Sequence, residues 1–198
     1  ADDHAGYGQV AHLRRNLPHP ELALLWVAPT GSVTAPFLPW WIGVESVPPE
    51  YAQHRYLTED AGPTFINPAF QLQEATEFAG RLYKRLMYYT CAHPTEYLNR
   101  VQSTLRAFET GILEQLPGVE RLAALAYAED PKLARSLLTD FSHTRAAEAL
   151  DVGRGLLAGI ATETRLRHGI PMPSEGNINA GGISVNCLVG ADPDRPGP

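Results

Sequence analysis

Two apolar runs, LALLWVA from Leu22 to Ala28 and SVTAPFLPWWIGV from Ser32 to Val44, constrain what this chain can fold into more than any other feature. Each is rich in residues that favour extended backbone. Turn signals stand before the first run, at Pro18-His19-Pro20, and between the two, at Thr30-Gly31-Ser32, so the segment reads as strand, turn and strand. Two short strands are not stable by themselves in water, because their apolar faces stay exposed. The first third of the chain therefore needs a larger sheet. Behind it, Tyr51 to Pro68 mixes proline, glycine and polar residues and reads as a long ordered connection in which Arg55, Tyr56 and Asp60 could line a site.

From Asn67 onward the period becomes helical. Leu72, Ala75, Phe78, Ala79, Leu82, Leu86 and Tyr89 recur at three and four residues and predict a helix of about five turns. His93-Pro94 ends it and opens a second helix, whose buried face is Leu98, Val101, Leu105, Phe108 and Ile112. Pro117-Gly118 is expected to break that helix, with a third from Val119 to Ala128. Asp130-Pro131 then starts a short helix with an acidic N-cap and proline at its first position. A last long helix is expected from about Ser142 to His168, with Gly169 as its C-cap and Pro171 as its stop. The tail is turn-rich, and Ile183 to Val189 could add one strand. The expectation is an α+β chain: a sheet-forming segment over 1–68, a helical region over 69–170 and a turn-rich tail over 171–198.

Composition narrows the function. The chain has 198 residues, 44% of them hydrophobic, which is enough for one compact core. Its formal net charge of -6, with basic residues scattered among acids, argues against a nucleic-acid partner. No apolar run reaches the roughly 18 residues of a membrane span, so no membrane partner is expected. Two cysteines, Cys91 and Cys187, share no redox or metal spacing; a disulfide between them is one alternative, but two reduced thiols are the expectation, with residence in the cytoplasm. The seven histidines show no H-x-x-x-H pairing, so no locally built metal site is expected, and no cofactor motif is present. Asn177 to Gly182 lacks the spacing of a dinucleotide or phosphate loop and reads as a connector.

Several elements in order resemble the dipeptidase A/secernin family of N-terminal-nucleophile cysteine hydrolases. They are the stretch Gln9 to Arg14, the Trp-bearing strand Leu24 to Ala28, the small-residue segment Ser32 to Pro36, and Gly43-Val44-Glu45-Ser46-Val47-Pro48. DPKLARSLLTDFS, from Asp130 to Ser142, is similar to a helical element of the same family. The resemblance implies a partial αββα sheet with a helical extension. It also implies a cysteine amidohydrolase acting on small peptides or related amides, in which an N-terminal cysteine attacks, its own amine is the base, and an acyl-enzyme forms. This chain begins Ala1-Asp2-Asp3-His4, so the match is to the family's C-terminal half, and the nucleophile half is expected on a second polypeptide, from another gene or from a processed precursor. Two other readings stay open: a non-catalytic helical binding or scaffold subunit, and a self-contained thiol enzyme using Cys187.

Individual residues carry these readings. Arg14, which matches the family's arginine, could clamp a substrate carboxylate with two parallel bonds, while a solvated Arg14–Arg15 pair is the plain alternative. Trp40 and Trp41 offer an aromatic wall, and because neighbours on a strand face opposite ways, only one of them can line a given pocket. Trp26 reads as core. His12, near Arg14, is a further substrate-binding candidate. Cys187 lies on a possible strand beside Asn186, whose amide could donate to an oxyanion, but buried thiols among apolar neighbours are poor nucleophiles. Cys91, at a helix end, reads as packing. Glu74, Glu77, Glu114, Asp140 and Glu148 read as solvated surface.

Overall fold

The computed structural model describes residues 7–52 and 78–169. They form an α+β arrangement, mostly helical, with a three-stranded antiparallel sheet. The strands are β1 (Gly8–His12), β2 (Leu24–Ala28) and β3 (Leu38–Trp41), in the order β1-β2-β3. A 3-10 turn, Pro20–Leu22, leads into β2. The helices are α1 (Pro49–Ala52), α2 (Ala79–Ala92), α3 (Pro94–Glu129) and α4 (Pro131–His168).

β1 was not among the two expected strands. Its residues Gln9 to His12 are exposed on both faces, so the burial alternation that marks a strand is missing. Register alone places it: Val10 sits opposite Trp26 and His12 opposite Leu24. β2 does alternate, with Leu24, Trp26 and Ala28 buried and Leu25 and Val27 half-buried. Its buried side faces α3 and α4, where Leu22, Leu24, Trp26, Leu38 and Trp41 join Ile112, Leu116, Ala123, Tyr127 and Leu138 in one core. A second cluster, Ala28, Tyr83, Leu86, Tyr97, Val101, Leu105 and Ile160, fastens α2 to the long helices.

The two long helices correct the expected helix count. Pro117-Gly118 does not break α3, which runs for 36 residues through Pro117. Proline there removes one helical hydrogen bond, normally a cost of about 3 kcal/mol. Pro117 and Gly118 are solvent-exposed, so water can serve the freed carbonyl, and the helix is held to the sheet on either side of them. On one side the Phe37 amide donates to Glu109 Oε1 at 2.8 Å; on the other, Trp41 Nε1 donates to Glu120 Oε1 at 3.1 Å. Tertiary anchoring overrides the local breaker.

The expected short helix at Asp130 and the long one from Ser142 are likewise a single α4 of 38 residues. Its ends are as expected. Asp130 Oδ1 accepts from the amides of Lys132 and Leu133, at 2.9 and 3.2 Å, and Gly169 closes the other end in the left-handed region with φ 61°. The helix expected from Asn67 is corrected at its start: Phe78 is extended, and α2 begins at Ala79. A Cβ on Gly80 would lie 3.0 Å from the Phe78 ring, so that ring folds against the first turn rather than continuing the helix. The connection through Arg55, Tyr56 and Asp60, the stripe positions Leu72 and Ala75, the acids Glu74 and Glu77, and everything after Gly169, Asn177 to Gly182, Asn186 and Cys187 included, lie outside the described residues. Among the described residues, no helix is long and apolar enough to cross a membrane.

Candidate functional site

The side of the sheet away from α3 and α4 carries a groove, bordered by α1 and the start of α2. Leu25 and Val27 of β2 and Trp40 of β3 form its floor, and Tyr7, Val47, Tyr51 and Phe78 stand around it, enclosing about 350 Å³. Glu50 and Phe78 also line a neighbouring pocket of about 390 Å³, where Arg81, Arg85 and Arg154 converge beside Leu82, Leu150 and Leu157. An apolar trough therefore leads to an end lined by three arginines and Glu50, where Arg154 pairs with Asp151 at 2.9 Å.

Two tyrosines support the trough from below. The Tyr51 hydroxyl donates to the Ala146 carbonyl at 3.0 Å and the Tyr83 hydroxyl to the Ala149 carbonyl at 2.6 Å, so both tie this region to α4. Burial raises the pKa of each phenol far above its ordinary value, and their mutual proximity adds to this for Tyr83. Both stay neutral hydrogen-bond donors. Close approach of α2 to α4 at this point requires Gly153, where a Cβ would fall 2.9 Å from Tyr83 Cε1 and 3.1 Å from Leu82 Cδ2.

The tryptophan pair divides as strand geometry demands. Trp40 faces the groove and lies 6.0 Å from the Tyr51 ring centroid. Trp41 is buried on the opposite face, edge-on to Phe141 at 5.7 Å. Trp26 is core. Arg14 lies away from the groove. Its Nη1 binds Glu120 Oε2 at 2.6 Å and its Nη2 donates to the Leu22 carbonyl, so the guanidinium braces the chain before β2 against α3. His12 is exposed on β1, and Arg15 is exposed as well. Glu114 and Asp140 are exposed, and Glu148 pairs with Arg145 at 2.9 Å.

The segment Gly43 to Pro48 and the helix from Asp130 to Ser142 meet directly. The Glu45 amide donates to Thr139 Oγ1 at 3.0 Å, Glu45 Oε1 pairs with Arg135 Nε at 3.2 Å, and His143 Nε2 lies 2.9 Å from the Ser46 carbonyl. A Cβ on Gly43 would sit 2.6 Å from the Tyr127 hydroxyl, which makes glycine necessary there. These two elements form one docking unit that aims Val47 and Glu50 at the groove.

Cys91 corrects the expectation of two reduced thiols. It is disulfide-bonded, and the other cysteine of the chain, Cys187, lies outside the described residues. A thiol nucleophile is thus not available at Cys91.

Sequence reasoning did not single out Arg81, Arg85, Arg154, Tyr51 or Tyr83. Arg81 and Arg85 are four residues apart on α2 and share a face, a signal that exists in the sequence but reads equally as solvated surface. Tyr51 and Arg154 are brought to them only by the tertiary fold. No protein-family profile, curated protein or solved structure matches the chain.

Proposed function

We propose that this chain is the substrate-cradling part of an N-terminal-nucleophile cysteine amidohydrolase that acts on small peptides or related amides. The observation that carries this reading is the sheet itself. Its two faces are both apolar, yet α3 and α4 cover only one, and the other presents Leu25, Val27 and Trp40 to the groove. A sheet with two apolar faces is the inner layer of a sandwich, as in an αββα core. Among the described residues the order is long helices, then sheet, then an apolar groove edged by α1 and α2, an order that supports one half of that stack. A second sheet bearing the nucleophile would pack on the open face and bring an N-terminal thiol over the trough.

β1 supports the same reading. β3 is lined by α4, where the Ser142 hydroxyl donates to the Pro39 carbonyl at 2.9 Å, whereas β1 pairs with β2 alone among the described residues and exposes Val10 and Tyr7. An unpaired strand edge invites another strand. In this mechanism the partner's thiolate attacks the amide carbon, the amine leaves, and water or an acceptor amine resolves the acyl-enzyme. Trp40, facing the groove, holds the substrate side chain.

Native mass spectrometry of the assembly, followed by N-terminal sequencing and iodoacetamide labelling, tests this. A polypeptide segment with an N-terminal cysteine, whose alkylation abolishes dipeptide hydrolysis, is the expected result. A native species with no such cysteine and no hydrolysis of dipeptides or amides would sink the proposal. One observation favours a second reading, a helical binding subunit: Leu122, Leu125 and Leu133 are all more than half exposed around the α3–α4 turn. That reading predicts a stable complex formed through these leucines and no hydrolase activity in it.

A further inference from the structure

Where the end of α4 meets the α2–α3 corner, three side chains with metal-ligating atoms converge, and nothing in the proposed hydrolase chemistry uses them. His93 caps α3, Glu96 lies in its first turn, and His168 is the last residue of α4. Their ligand atoms all lie within 4.8 Å of one another. The two imidazoles stack with centroids 3.8 Å apart and planes 8° from parallel. His168 Nε2 comes to 3.2 Å from Glu96 Oε1, but this buried nitrogen lacks the alignment of a hydrogen bond with it. The other carboxylate oxygen, Oε2, is held by Arg167 at 3.3 Å, which leaves Oε1 turned toward the histidines.

We propose that His93, Glu96 and His168 form a binding site for a zinc-type divalent ion. Two imidazole nitrogens and one carboxylate oxygen are a donor set for Zn²⁺ or its Co²⁺ surrogate, and not for Ca²⁺ or Mg²⁺, which take oxygen ligands. Ligand bonds of about 2.0–2.2 Å in a tetrahedron place donor atoms roughly 3.3–3.5 Å apart. The Nε2–Oε1 pair, at 3.2 Å, stands close to that separation. Binding requires the parallel stack to open, with one imidazole turning about its side-chain torsions until both ring planes meet at the ion. Glu96 is exposed and both histidines are half-buried, so an ion can enter, and a fourth position is left to water.

The ion would pin the last turn of α4 to the corner that follows the disulfide-bonded Cys91. Its role is structural, and it stands apart from the groove. Sequence spacing could not show it, because His93 and His168 are separated by nearly the whole helical hairpin.

The test is equilibrium titration of the full, metal-stripped chain with Co²⁺ and then Zn²⁺, read by the visible d–d bands of cobalt and by melting temperature. One ion per chain, tetrahedral cobalt bands displaced by zinc, and a raised melting temperature are expected. His168→Ala and the surface change Glu96→Gln should each weaken zinc affinity by more than the ~10–100-fold that loss of an outer-sphere partner costs, with His143→Ala as the control that leaves it unchanged. Glu96 is exposed, so its substitution leaves the fold intact and isolates the ligand effect. Absence of cobalt bands in the parent chain, or zinc affinity unaltered in both ligand variants, overturns the site.

Discussion

Glu120 holds Arg14 at 2.6 Å with one carboxylate oxygen, and with the other it accepts the Trp41 indole hydrogen at 3.1 Å. One side chain of α3 thus fixes both the approach to β2 and the end of β3. The pair is about four-fifths buried, with side-chain exposures of 21% and 19%. Removing the carboxylate leaves a largely buried guanidinium and an indole N–H without their acceptor. Glu120→Ala is expected to cost about 2 kcal/mol, a fall in melting temperature of roughly 4–8 °C for a chain of this size, with Glu120→Gln milder. Urea denaturation reads this directly; an unchanged midpoint in Glu120→Ala would show that the ion pair is dispensable.

The tryptophans should separate stability from function. Trp41→Ala empties a core position between Phe141 and Glu120 and is expected to destabilise by about 3–5 kcal/mol. Trp40→Ala, on the groove side, is expected to cost much less stability and, on the proposed function, to lower kcat/KM of the assembly for small peptides. Equal loss of stability in the two variants, with unaltered kcat/KM for Trp40→Ala, contradicts the division of roles.

Three glycines of α4 make opposite predictions. Gly155 and Gly159 have nothing within 4 Å of an added Cβ, so alanine at either should stabilise by about 0.5–1 kcal/mol through helix propensity. Gly153→Ala meets Tyr83 and Leu82 and should destabilise by about 1–3 kcal/mol. Thermal melts of the three variants decide this by sign.

Burial holds the Glu109 carboxyl above its ordinary range, against the opposing pull of the Phe37 amide and Arg106. The folded state therefore binds this proton more tightly than the unfolded chain does. The associated stability is fully present below the unfolded pKa of about 4.3 and is lost as pH rises through the folded value. Glu109→Gln keeps an acceptor for Phe37 and removes the titration, so it should melt higher than the parent at neutral pH, with the difference closing in acid. Parallel pH profiles for the two proteins would refute the assignment.

The Cys91 disulfide predicts that the unfolded, unreduced chain shows no reactive thiol and that reduction releases two. Thiol titration checks the count. Reduction should lower stability by about 2–4 kcal/mol, the usual range for a disulfide.

Much of this architecture was readable from local chemistry. Asp130-Pro131 and Gly169 announced the ends of α4 because capping depends on neighbours in sequence. The alternation in LLWVA announced β2, and adjacency alone required Trp40 and Trp41 to part. What failed was whatever distant residues decide. Pro117 looked like a terminator because the anchors at Glu109 and Glu120 are invisible in one dimension. β1 went unseen because an edge strand exposed on both faces carries no burial pattern. Arg14 could be read as a substrate clamp or a solvated residue, and only the fold shows it paired with Glu120, while Arg81, Arg85 and Arg154 carry no signal until the fold draws their helices together.

Asp130 stands as the sole residue between two helices of 36 and 38 residues. A joint of that length has no slack. Adding or deleting one residue there would swing α4 by about 100° about its own axis relative to α3, carrying Ser142 away from Pro39 and Gly153 away from Tyr83 together. This elbow can accept a change of side chain at the cost of a cap, yet it cannot accept a change of length. It sets the phase of the whole hairpin, and through it the alignment of every residue that reaches the sheet from the far arm.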